Sequence, residues 1–471
     1  MARNAARAAS RRRNRMPTDP LPMKRRLLAL ALPFAFGLAG AAGSAAGEDL
    51  VQIYRDALSG DPVFAGARSS WLATQEVLPQ ARAGLLPTLS LLGNATQWNY
   101  DQTLKSDPQL KFHQNYGSGA YSLQASQPVY RMQNWISVDQ AKQQLGQSQY
   151  VLASAQQDLI VRVVQAYFDV LLAQFNIDLT LNQNAAVSEN LAQAKRNFEV
   201  GTATIIDTNE AQAKFDQIIA QEIAARNDFD NKVAALRAII GRAPKDLKGV
   251  QQELQPELPS PAALEPWVDR ALRENFQVRV QQASFDIASL EVERQRAGHY
   301  PTVDLVANYN QTYAGAAAST NLSANFASDT RLGSIALQLS LPLYQGGAVN
   351  SRVRQAVANL ETARQSLETA RRAAQLAAQV AYAGVTGGVA ESKALKQAVK
   401  SAQVSYDSTK LGMEVGVRTN LDVLNTQQIL YQTRYNLAQS YYRYVLNAVK
   451  LKQSVGTLSD DDVEKINLDL R

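Results

Sequence analysis

Two short motifs hold the residues best placed to act on charge, Thr204-x-x-Asp207 and Thr419-x-x-Asp422. Each begins three residues after a glycine, Gly201 and Gly416. A hydroxyl residue followed three positions later by a carboxylate is the pattern of a capping box at a helix N-terminus. A carboxylate such as that of Asp422, if repeated around a narrow pore, would favour cations and repel anions. For Asp422 the spacing alone leaves these two roles even. Other chemistry is poorly supplied. The 471 residues include no cysteine and two histidines, His113 and His299. Disulfides, thiolate metal sites and cysteine nucleophiles are excluded. A multi-histidine metal site or a Ser-His-Asp triad has almost no material. No GxxxxGK[ST] stretch occurs, so no phosphate-cradling loop is expected. His113 reads as a loop histidine and His299 as a turn histidine. The chain is expected to be no enzyme, with no cofactor and no metal.

The elements that must position these motifs are written twice. Arg82-Ala83-Gly84-Leu85-Leu86-Pro87 recurs as Arg296-Ala297-Gly298-His299-Tyr300-Pro301, at an offset of 214. Ser126-Gln127-Pro128-Val129-Tyr130 recurs as Ser340-Leu341-Pro342-Leu343-Tyr344 at the same offset. The stretch Val200-Gly201…Thr204…Asp207…Gln212 recurs as Val415-Gly416…Thr419…Asp422…Gln427 at offset 215, and Gly241 matches Gly456. A period this long marks a duplicated half-protein rather than a solenoid. The division expected is a leader over 1–46, a first repeat over 47–241 and a Pro-rich linker over 242–266. A second repeat over 267–456 and a tail over 457–471 follow.

Each repeat opens with a helical approach, about 63–83 and 267–297, and then alternates as strands do. Tyr121, Leu123 and Ala125 interleave with Ser122, Gln124 and Ser126; Ile335, Leu337, Leu339 and Leu341 interleave with Ala336, Gln338 and Ser340. Residues 88–100 and 302–313 alternate more loosely, and 101–116 and 314–332 read as polar loops joining two hairpins. Such strands of roughly 10 residues, bounded by aromatics, are what a membrane β-barrel requires. A small soluble sheet is the alternative. Trp98, Tyr100, Tyr116, Tyr121, Tyr309 and Tyr313 are the candidate interfacial aromatics. Four strands are too few, because the smallest closed barrels need about eight. An open edge in lipid would leave backbone groups unsatisfied. A membrane barrel would therefore be shared, with eight strands from two copies or twelve from three.

The helices are longer still. From Val129 to Val200 there is no proline and a single glycine, Gly146. At ~1.5 Å per residue, a helix over most of that stretch runs roughly 100 Å. In the second repeat Val349, Val353, Ala356, Leu360, Ala363, Leu367, Ala370, Ala374, Ala377 and Ala381 form a heptad seam. Val138, Ala141, Leu145, Ser148, Leu152, Ala155 and Leu159 are its counterpart. Gly201 and Gly416 suit a helix C′ position, and Thr204 and Thr419 an N-cap, so each long helix ends in a tight return. The return helices, about 204–240 and 419–455, contain neither Gly nor Pro.

The formal net charge of +6 belongs to the N-terminus. Residues 1–26 hold nine of the 48 bases and one of the 42 acids, which leaves 39 bases against 41 acids. Nucleic-acid binding loses its electrostatic argument. Lys24-Arg25-Arg26, an apolar run from Leu27 to about Leu38, and Ser44-Ala45-Ala46 read as a signal peptide. The mature chain would begin near Gly47 or Glu48, and Met23 is an alternative start. No later segment offers ~18 uninterrupted apolar residues.

On these residues the chain resembles the TolC-type outer-membrane channel family, the exit ducts of type I secretion and tripartite efflux. Leu341-Pro342-Leu343-Tyr344-Gln345-Gly346-Gly347-Ala348-Val349-Asn350-Ser351 is similar to the family's strand-to-helix junction. Val415-Gly416-Val417-Arg418-Thr419-Asn420-Leu421-Asp422-Val423-Leu424 is similar to its hairpin tip. The start, Glu48-Asp49-Leu50…Tyr54, is similar too, and the likeness spans nearly all of 48–460. It implies an α+β homotrimer whose twelve strands, four per protomer, form one barrel in outer-membrane lipid. A coiled-coil helical tunnel would continue it into the periplasm and taper at the tips. It implies a passive channel fed by an inner-membrane ABC or proton-driven exporter, with a periplasmic adaptor on the tips. By this resemblance Asp422 faces the lumen as a ring of three carboxylates, while Asp207 and Arg418 link adjacent hairpins. Asn425 stands where a second luminal acid is familiar, and Met413 where a linking tyrosine is familiar. The absent cysteine separates the chain from lipid-anchored members and leans towards protein export. The rival reading is an exported structural coiled coil, an envelope spacer or adhesin without a pore. It leaves the strand hairpins and tip motifs without a role.

Overall fold

The computed structural model describes residues 47–105, 107–249, 255–315 and 327–469. The expected leader and the side chain of Tyr100 lie outside the described residues. Three helices lead in, α1 (Leu50–Gly60), α2 (Pro62–Gln75) and α3 (Val77–Ala83), followed by strands β1 (Thr88–Leu104) and β2 (Asp107–Tyr130). Then come the long α4 (Met132–Glu199) and its return α5 (Ile205–Ile240). The second half repeats the order. It has α6 (Glu265–Glu274), α7 (Phe276–Arg296), β3 (Thr302–Ala314), β4 (Ser328–Ser340), α8 (Ala348–Glu414) and α9 (Asn420–Ser454). A last helix, α10 (Asp460–Asp469), ends the described chain.

The sheet is antiparallel in the order β1-β2-β3-β4, so β2 and β3 join the two halves. Its register sorts the side chains onto two faces, because successive residues of a strand point to opposite sides. Leu91, Leu123 and Tyr309 fall in one cross-strand row, and Leu305 pairs with Leu337 on that same face. Ser90, Gln124, Asn308 and Ser334 make a row on the other. The apolar face carries Ile335 at 79% exposure and Leu89 and Leu91 at 71%, a surface made for lipid rather than water. The ten steps from Val303 to Tyr313 cover about 33 Å of strand. At the tilt of a membrane barrel that gives a band about 25 Å tall.

The strands outrun the sequence reading. Residues 101–104 and 107–116 continue β1 and β2 instead of forming a loop, and β4 begins at Ser328 within the other expected loop. Polar residues carry much of the extension, which among the described residues pairs with no third strand above Ser118. His113 is accordingly a strand residue, paired across the ribbon with Asp101. The aromatics divide between the faces. Tyr121, Tyr309 and Tyr313 share the apolar face, whereas Trp98 and Tyr116 stack on each other in the parity of the polar face.

Packing below the sheet is duplicated residue by residue. The main core gathers Ile53 and Ala57 of α1, Val163, Ala166 and Val170 of α4, and Leu236 and Ile240 of α5. Their counterparts Trp267, Ala271, Ala378, Ala381, Val385, Leu451 and Val455 form a second core. Where Val163 becomes Ala378, the bulk is restored by Trp267 in place of Ile53. The heptad seam of α8 holds from Val349 to Ala374 and then steps by four to Ala378, leaving Ala377 exposed. Such a stutter offsets the mismatch between a 3.5-residue and a 3.6-residue period. It falls where α8 changes partners, from the Val278 cluster of α7 to the α6–α9 core.

The linker is helix-free over its described residues up to Leu264, and α6 starts inside its expected end, with Pro266 in its first turn. Tyrosines strap it down. The Tyr444 hydroxyl donates to the Glu257 carbonyl at 2.9 Å, and Tyr382 donates to that of Ala262 at 2.5 Å. Tyr442 packs on Phe168 with ring centroids 5.0 Å apart. Helix α4 holds an 18-residue window apolar enough to cross a membrane, yet 56% of it is buried within the protein. It is the core helix of the bundle.

Candidate functional site

The candidate residues lie at the two points where long helices turn back. Both turns are built alike. Gly201 and Gly416 adopt φ of 80° and 82°, a left-handed geometry that residues with a Cβ rarely take. The Gly201 amide donates to the Phe198 carbonyl at 3.0 Å, and Thr202 donates to that of Asn197 at 2.8 Å. In the second turn Gly416 donates to Met413 at 3.1 Å and Val417 to Gly412 at 2.9 Å. This double bond pattern is the Schellman motif, which satisfies carbonyls that a helix end leaves open.

Capping boxes follow at once. Asp207 Oδ2 accepts the Thr204 amide at 2.8 Å, while Thr204 Oγ1 accepts the Asp207 amide at 3.3 Å. Asp422 and Thr419 make the same exchange at 3.0 and 3.2 Å. Hydrogen bonds from the Thr419 amide and hydroxyl, with Arg418 nearby, hold the Asp422 carboxyl below the usual carboxylate range. The Thr204 amide and hydroxyl do the same for Asp207. Each acid is therefore a fixed negative charge at neutral pH. Capping occupies Oδ2 of Asp422 in these bonds, so the capping and luminal roles do not compete for one atom.

Within one chain the expected residues form two groups. Met413, Arg418, Asp422 and Asn425 gather at the α8–α9 turn, with Asp422 half-buried and Asn425 exposed one turn along α9. Asp207 belongs to the α4–α5 turn. Among the described residues neither Asp207 nor Arg418 forms an ion pair within the chain. Arg418 instead lies over Gly412, where an added Cβ would sit 2.9 Å from its Cγ.

Three features escaped the sequence reading. Arg131, between β2 and α4, makes a bidentate pair with buried Asp304 of β3 at 2.8 and 2.7 Å. Arg162 of α4 makes another with buried Asp61 at 3.0 and 2.8 Å. Leu424, two residues beyond Asp422, is buried against the other hairpin. Only alignment of the two halves could have signalled Leu424, because an isolated leucine on a helix is unremarked. Among the described residues no group of three or more acids or histidines could hold a metal ion.

The family model for outer membrane efflux proteins matches this chain twice, over residues 53–242 and 267–457. The outer membrane protein TolC of Vibrio cholerae is 31% identical over 95% of this chain and 99% of its own length. The alkaline protease secretion protein AprF of Pseudomonas aeruginosa is 30% identical over 88% and 86%. Among solved structures, the outer membrane protein VceC of Vibrio cholerae aligns with a TM-score of 0.72. It is 18% identical and covers 86% of this chain and 96% of its own, a likeness of fold.

Proposed function

The chain belongs to the outer membrane efflux protein family of TolC type, and from that premise we propose a homotrimeric duct gated at its helix tips. As a member it is an outer-membrane exit channel for secretion and efflux, extending into the periplasm. The family's members are channels, and no catalytic activity is indicated.

The trimer is supported by what one chain leaves open. Among the described residues, strands β1 and β4 each have an unpaired edge in a sheet with a lipid-type face, which lipid would not tolerate. Three copies supply twelve strands. The helices offer matching surfaces: α2 has no buried residue, while Leu376 and Val380 of α8 are 61% and 63% exposed. Inside the chain, α4 packs on α7. The duplication would repeat that seam as α8 of one copy on α2 of the next.

In this assembly Asp422 supplies a ring of three carboxylates, with Asn425 as a neutral ring one turn away. Asp207 and Arg418, which among the described residues form no ion pair within the chain, are the polar links between neighbouring hairpins, and Met413 leaves one familiar link unmade. An adaptor docking on the tips, and an inner-membrane pump behind it, would supply the opening force. Relatives named for protease secretion favour a protein cargo. The observation that carries the gating site is Asp422 held ionised at the turn of α8 into α9. The test joins native mass in detergent to planar-bilayer recordings. Three protomers with cation selectivity that Asp422→Ala abolishes is the expected result. A monomer, or selectivity untouched by Asp422→Ala, refutes it.

A further inference from the structure

The duplication makes the two hairpins comparable position by position, and near the tips they differ in one telling place. Leu424 of α9 is 5% exposed and packs with Val187 of α4 and Ile218 of α5, with Phe215 against the cluster. Its counterpart at offset 215 is Asn209 of α5, which is exposed. The second hairpin is thus seated on the first by an apolar plug, and the first hairpin carries a polar residue where its own plug would be.

The rest of the α9 contact shows how much depends on this seat. Further along, Tyr442, Val445 and Val449 of α9 join the main core beside Phe168. Between core and plug lies a cavity of about 430 Å³, lined largely by amides and hydroxyls such as Gln183, Gln221, Gln428, Tyr431 and Tyr435. A wet polar gap opposes separation weakly, because water satisfies both walls. Helix α9 is therefore held against α4 and α5 by apolar contacts at two places, a root in the core and a plug at the tip, with a hydrogen bond from Lys214 Nζ to Gln428 Oε1 at 3.4 Å beside the plug.

We propose that Leu424 is an apolar latch within each protomer, a positioning residue that sets how far Asp422 stands from the channel axis. Unseating Leu424 frees the first turns of α9, which carry Asp422 and Asn425, while the root stays fixed. The counterpart Asn209 makes the seam between protomers polar by comparison. Closure is then of two kinds, chiefly apolar within a protomer and polar between protomers. Polar links respond to salt and the latch does not, because burial of Leu424 involves no charge.

This inference rests on the reading of the tips as the channel's constriction, and its test separates the two. Single-channel conductance is recorded for the wild-type trimer, Leu424→Asn, Ile218→Ala and Leu424→Met. Leu424→Asn copies the first hairpin, and Ile218→Ala hollows the seat from its other side. Both are expected to raise conductance several-fold and weaken cation selectivity, with the thermal midpoint of the trimer little changed. Leu424→Met, which refills the seat, is expected to behave as wild type. Equal conductance in all four channels overturns the latch and leaves the pore standing. So does a rise with Leu424→Met as large as with Leu424→Asn. A wild-type trimer that never conducts overturns the pore reading and the latch with it.

Discussion

Thr204 and Thr419 close the two hairpins with the same hydrogen bonds, yet Arg162 of the first half has Ala377 as its counterpart in the second. Arg162 binds Asp61 with two nitrogens and reaches Asp158 at 2.8 Å with a third. At the matching place Asn275 caps α7 and reaches the Ser454 carbonyl at 2.9 Å, and exposed Ala377 lines an open cavity. The approach helices differ too. Pro79 stands where the second half has Glu293, and the first approach is broken into α2 and α3 while α7 runs unbroken. Turn chemistry leaves few residue choices, so both copies keep it. The flanks of each helix meet different neighbours, and there the copies have diverged.

The largest effect that would sharpen this contrast is expected at the buried ion pair. Arg162→Ala strands the Asp61 carboxylate, whose side chain is 2% exposed, and should cost about 3 kcal/mol. Asn275→Ala, losing mainly a helix cap, should cost about 1 kcal/mol. Equal midpoints in chemical denaturation of the two variants would break the contrast. Acid should act next. Arg294 first, then Gln140 and Gln295, hold Glu291 at about 2 against burial, which pushes the other way. A carboxylate depressed on folding stabilises fully above its unfolded value, here 4.5. That stabilisation fades as pH falls towards the folded value. The α4–α7 seam should loosen over that window, and Glu291→Gln should flatten the acid limb of a pH–stability profile. The first half has Val77 at the matching place and offers no such group.

Smaller and symmetrical effects are expected at the turns. Thr204→Ala and Thr419→Ala should each lower local stability by about 1 kcal/mol, read by hydrogen exchange at the tips. Only Thr419→Ala should also alter cation selectivity, through the orientation of Asp422. An equal change in selectivity from both variants would make the two tips functionally alike. The smallest effect is expected from Pro79→Glu, which copies the second half. It should join α2 to α3 while changing stability by under about 1 kcal/mol. A large loss would mean that the break is needed for packing.

Much of this architecture was legible because it rests on local chemistry. A proline-free stretch, a glycine with positive φ and a hydroxyl three residues before an acid fix the long helices and their returns. Alternation located the strands where one face meets lipid. It failed in residues 101–116, where β1 and β2 run on past the described end of β3 and their mostly polar residues do not alternate. The seam of α8 was read correctly as far as Ala374, missed at Ala377 and met again at buried Ala381, because a heptad count does not know that the partner helix has ended. Long-range pairs such as Arg131 with Asp304 leave no periodic trace in the sequence. The roles proposed for Asp422 and Arg418 sit between these cases, with local geometry legible and the proposed neighbours lying outside the single chain.

One residue, Arg131, separates β2 from α4, and its guanidinium is clamped to Asp304 of β3. Strand and helix are therefore consecutive parts of one stiff member. Mechanically, the clamp is the fulcrum of a lever about 100 Å long. A rotation of one degree there carries the far end, the α4–α5 turn, by about 1.7 Å. The position of the α4–α5 turn is thus set at the opposite end of the helix, where a two-pronged ion pair fixes the angle at which the rod leaves the sheet.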